Sequence, residues 1–75
     1  MSVDRDLLNA FGLIRQQILD EPGTWRTVAT YSGGAHVKVA RVRAAALALA
    51  LRNPYIQIDL RTRGQSTHIV ARRKT

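Results

Sequence analysis

The sequence predicts an α+β fold, and three patterns carry that prediction. An apolar stripe with helical spacing runs through residues 3–20, and a second helix-period segment, rich in Ala, Leu and Arg, fills 35–52. Two-residue alternation marks 55–61 and 67–73 as the arms of a β-hairpin. A length of 75 residues holds one small domain, so 1–75 is read as a single unit.

In the first helix, Val3, Leu7, Ala10, Phe11, Ile14 and Ile18 form one apolar face. Ser2 is placed to cap its start, Asp4 and Asp6 suit the positive end of the helix dipole, and Pro22–Gly23 stop it. Gly12 weakens the helix, which predicts close packing against another backbone at that point. Residues 24–31 (Thr-Trp-Arg-Thr-Val-Ala-Thr-Tyr) read two ways. A strand with Trp25, Ala29 and Tyr31 on one face is the preferred reading; the three-residue recurrence of Trp25, Val28 and Tyr31 allows a short helix. Ser32-Gly33-Gly34 then breaks the chain.

The helix over 35–52 has two apolar faces when its residues are set at about 100° apart. Ala35, Val39, Val42, Ala46 and Leu49 make one, and Val37, Ala40, Ala44, Leu47, Ala48 and Leu51 make the other. A helix apolar all round asks to be covered all round. The first helix and a sheet are two available coverings, and a second copy of the chain is a third. The face of Val37, Ala40, Ala44, Leu47 and Leu51 is therefore a candidate partner surface, and a homodimer is one expectation. Asn53–Pro54 ends the helix. In the hairpin, pairing Leu60 with Ile69 and Ile58 with Ala71 gathers the apolar residues on one face. That register sets Arg61 opposite His68, Asp59 near Val70, and the turn at Arg63-Gly64-Gln65-Ser66.

Charge adds a functional expectation. The chain carries a net +7, and the excess is lopsided. Residues 1–21 sum to −2, whereas 22–75 hold ten Lys or Arg against Asp59 alone. A one-sided positive field attracts polyanions, and ten of the twelve cations are Arg, whose planar fork suits phosphate. With no cysteine there are no disulfides and no thiolate sites, which fits a cytoplasmic location. No stretch approaches the roughly 18 apolar residues of a membrane span, and the first residues lack the basic start of a signal peptide. No membrane association is expected.

The side chains do not suggest an enzyme. The acids are few and scattered, and His36 and His68 have no carboxylate at metal-ligand spacing, so neither a metal nor a cofactor is expected. Ser32-Gly33-Gly34 lacks the Gly-Lys-Ser/Thr ending of a P-loop. The stronger constellation is basic: Lys38, Arg41 and Arg43 near the start of the second long helix, Arg61 and Arg63 at the hairpin tip, and Arg72, Arg73 and Lys74 in the tail. These are the candidate nucleic-acid contacts, with duplex DNA the leading partner. An acidic host protein docked on the second apolar face is the alternative. RNA comes third, on the strength of the tryptophan and two tyrosines that could stack bases.

Residues 28–39 (Val-Ala-Thr-Tyr-Ser-Gly-Gly-Ala-His-Val-Lys-Val) with the following hairpin resemble, loosely, a winged helix-turn-helix. That likeness implies a groove-entering helix and a wing reaching the DNA backbone. It departs from the pattern in its short, Thr-rich first segment and apolar second one. The frame Gly23-x-Trp25-x-x-Val28-Ala29-x-Tyr31, followed by an Ala/Arg helix and an Arg-rich β-pair, also resembles small basic proteins encoded by actinobacterial phages. This resemblance spans about residues 23–73 and implies a phage or actinobacterial origin, without a mechanism.

Overall fold

The computed structural model describes residues 5–32 and 39–74. Its elements, in order, are α1 (Arg5–Asp20), β1 (Arg26–Ser32), α2 (Val39–Arg52), β2 (Ile56–Arg63) and β3 (Ser66–Arg73). The fold is α+β. Residues 26–32 form a strand, so the helical alternative for 24–31 is set aside. The first helix of a helix-turn-helix over 28–39 is likewise replaced by β1, while 33–38 lie outside the described residues.

The strands make an antiparallel sheet in the order β1-β3-β2. The expected hairpin register holds: Leu60 pairs with Ile69, Ile58 with Ala71, Arg61 with His68 and Asp59 with Val70. Both arms extend to the turn, leaving a two-residue loop of Gly64 and Gln65. Gly64 has φ +61°, and no other residue type takes positive φ among the described residues, so Gln65 does not. That combination is the type II′ turn, whose twist matches the flanking strands.

Both helices pack on one face of this sheet. Leu7, Phe11 and Ile18 of α1 and Val42, Ala46 and Leu49 of α2 close over Val28, Ile56, Ile69 and Ala71. The stripe expected in the first helix is this buried face, apart from Val3, which lies outside the described residues. Gly23, at φ +83°, turns the chain away from α1 and donates its N–H to the Arg73 carbonyl at 3.2 Å. No basic residue of α1 stands in its last turn, and Arg73 of β3 supplies one by donating to the Leu19 carbonyl at 2.9 Å. Asn53 ends α2, its side-chain amide donating to the Leu49 carbonyl at 2.9 Å.

Two local expectations, for Gly12 and Trp25, are corrected, and the open question of what covers α2 is narrowed. Gly12 is exposed, and a Cβ placed there would meet nothing within 4 Å, so no neighbouring backbone requires it. The two apolar faces of α2 are not both covered: Val42, Ala46 and Leu49 are buried, but Leu47 is 57% and Leu51 77% exposed. Val37, part of that second face, lies outside the described residues. Trp25 does not share a face with Ala29 and Tyr31. The β1–β3 register slips between Thr27 and Ala29, a β-bulge that inserts one residue. Because side chains alternate across a sheet, one extra residue reverses the facing of everything before it.

The two glycines should respond to alanine with opposite signs. Gly12→Ala removes an entropic penalty from an exposed helix interior and raises stability by about 1 kcal/mol. Gly64→Ala forces a side chain into a left-handed turn position and lowers stability by about 1–2 kcal/mol. Leu49→Ala, at a site with 0% exposure, costs about 2–5 kcal/mol. Urea titration of the three variants reads all of these.

Candidate nucleic-acid interface

The helices cover one face of the sheet, and no element among the described residues covers the other. Alternation from the paired registers places Thr27, Thr30 and Ser32 of β1, Ser66, His68, Val70 and Arg72 of β3, and Gln57, Asp59, Arg61 and Arg63 of β2 on this open face. Cross-strand rows follow. Thr30, His68 and Arg61 lie side by side, as do Ser32, Ser66 and Arg63, while Arg72 pairs with Gln57. Hydrogen bonds run along these rows. The Thr30 hydroxyl and His68 Nδ1 are 2.9 Å apart, the Ser32 and Ser66 hydroxyls 3.3 Å, and Arg72 Nε donates to Gln57 Oε1 at 2.8 Å.

The bulge brings Trp25 to this face. The Arg61 guanidinium carbon stands 4.9 Å, and that of Arg72 4.6 Å, from its ring centroid. Both distances are within cation–π range. The ring thus lies at two arginine head groups reaching it from different strands, beside the stretch of β3 that carries Val70. Val70 is 5% exposed although it points away from the helices. Two long side chains that would otherwise sample many rotamers are held over one half-buried ring.

Electrostatically the face is unbalanced. Among the described residues Arg26 and Glu21 form an ion pair at 2.6 Å at the end of α1, and neither Arg61, Arg63 nor Arg72 is paired with an acid. Asp59 is the one carboxylate on the face, and its Oδ1 accepts the Leu60 backbone N–H at 2.8 Å.

The eight residues expected to contact nucleic acid therefore divide. Arg61, Arg63 and Arg72 are brought together on the open face. Lys74 is exposed at the exit of β3, where its N–H donates to the Tyr55 carbonyl at 2.9 Å. Arg73 belongs to the opposite face and is held by the end of α1. Arg41 and Arg43 are exposed on α2, in the helical layer behind the sheet, and Lys38 lies outside the described residues. Sequence reasoning set His68 opposite Arg61, as found, but missed Trp25 and Thr30 as members of this surface. The adjacent apolar pair Val28-Ala29, which breaks the alternation of β1, is the local sign of the bulge that could have found Trp25.

No helix among the described residues is long and apolar enough to cross a membrane. No cluster of three or more His, Asp or Glu side chains among them could hold a metal ion.

Arg61→Ala and Arg72→Ala should each lower stability by about 0.5–1 kcal/mol through loss of the ring contact. Both should also move the fluorescence of this lone tryptophan to longer wavelength without unfolding the chain. Arg63→Ala, which touches no ring, should leave the emission unchanged. Comparison of the chain with protein-family models, with curated proteins and with solved structures finds no match.

Proposed function

We propose that the protein binds duplex DNA through the open face of its sheet, with Arg61, Arg63 and Arg72 as the phosphate contacts and Lys74 beside them. The observation that carries this reading is three arginines on one uncovered face with no acid paired to them. An arginine stacked on a ring keeps its N–H donors in the guanidinium plane, free to address phosphate oxygens. Trp25 pre-organises two of the three in that state, so less side-chain entropy is lost when an anion arrives.

The same contact favours a duplex over a single strand. A base seeking to stack on Trp25 must first displace a guanidinium, whereas a phosphate finds the arginines already in place. The contact differs from the winged-helix mode, because the cations of α2 lie in the layer behind the sheet. This is a binding activity and not an enzymatic one. The sequence resemblance adds a phage or actinobacterial origin, and a regulatory role is the setting we propose for such binding.

Titration on duplex DNA at 50 and 200 mM salt tests the reading. Three neutralised phosphates give a log–log slope near −3, a loss of roughly 40-fold over that range. Arg61→Ala with Arg63→Ala should flatten the slope by about 2 on every duplex sequence alike. Negligible affinity at the lower salt, or affinity indifferent to salt, overturns the proposal. Tighter binding to single-stranded DNA or RNA overturns its choice of duplex.

A further inference from the structure

We infer that the outward face of α2 is a docking site for an acidic amphipathic helix of another protein. This goes beyond DNA binding and uses a different surface. Ala40, Ala44, Leu47 and Leu51 follow a 4-3-4 spacing, which at about 100° per residue sets them along one stripe diametrically opposite the buried Val42, Ala46 and Leu49. Ala40, Leu47 and Leu51 are exposed, and Ala44 is half-buried. The stripe is as regular as the seam of a coiled coil, and no element among the described residues covers its leucines.

The stripe continues into a depression between α2 and the edge strand β2. Ala46, Leu47, Ile58 and Leu60 line it, with Arg43 and Asp59 as its polar members. A helix laid along α2 has a ready recess for one of its side chains there.

Charge identifies the occupant. Arg41 and Arg52 flank the stripe on one side and Arg43 on the other, and α2 contains no acid at all. A second copy packed antiparallel would match Ala40 to Leu51 and Ala44 to Leu47 in size. It would also lay the Arg41–Arg52 flank against the same flank of the copy, placing like charges side by side in a half-dry seam. The outward face of α1 offers only Leu13 as an exposed large apolar residue, too little to fill the stripe of another copy. A helix with its own apolar stripe and with Asp or Glu at the flanking positions satisfies both the leucines and the arginines.

Isotope-labelled full-length protein titrated with a designed peptide tests this. The probe is a helix of about three heptads with leucine at a and d and glutamate at e and g; one control carries lysine at e and g. The expected result is chemical-shift change centred on Ala40, Ala44, Leu47 and Leu51, with the lysine control at least tenfold weaker. Leu47→Ser with Leu51→Ser should weaken the glutamate peptide at least tenfold while the chain stays folded at the titration temperature, as its dispersed amide spectrum reads. Arg41→Gln with Arg52→Gln should also weaken it. Absent binding, shifts centred on Trp25, Arg61 and Arg72, or indifference to the leucine variants overturns the inference. So do α2 shifts that depend on protein concentration without peptide, which would assign the face to a second copy.

Discussion

β3 is paired along both edges, and its inward residues Ile69 and Ala71 are shielded completely by the helices. The rest of the structure depends on that arrangement. The two helices described, α1 and α2, both lie on one side of the three-stranded sheet. No element among the described residues covers the other side. The open face tolerates water because most of its side chains are polar or cationic, Val70 is buried among them, and Trp25 is partly shielded by cations.

Position in the fold sorts the positive charge into different tasks. Arg26 and Arg73 serve the end of α1, one through Glu21 and one through the Leu19 carbonyl. Arg61 and Arg72 steady Trp25 and are steadied by it. Arg41, Arg43 and Arg52 rim an apolar stripe on the opposite side of the molecule. The field that attracts a polyanion is a property of the whole chain, but the side chains able to meet it on one surface are a minority of the arginines.

What sequence alone reveals follows from how locally each feature is determined. Alternating Ile56, Ile58 and Leu60 against Ile69 and Ala71, together with the turn at Arg63–Ser66, selects one register, so the hairpin could be paired residue by residue beforehand. The buried stripe of α1 was readable for the same reason. The bulge was not, because it depends on how β1 meets β3 and is announced only by Val28 and Ala29 standing together. Missing it put Trp25 on one face with Ala29 and Tyr31, and with it went the organising member of the candidate interface. The exposed half of α2 was visible as a surplus of apolar residues, but only packing could show which half the sheet would take.

The hydrogen bond from Arg73 to α1 and the placement of β3 between its neighbours have a consequence for the order of assembly. A chain grows from its N-terminus, and β3 follows both strands that it joins. Until residues 66–73 emerge, β1 and β2 lack the strand that each pairs with, and the last turn of α1 lacks its cation. Early segments can gather little beyond helix and loose apolar contact. Pairing of the native sheet therefore waits on β3, which adjoins both other strands, carries Arg72 to the open face and gives Arg73 to the end of α1.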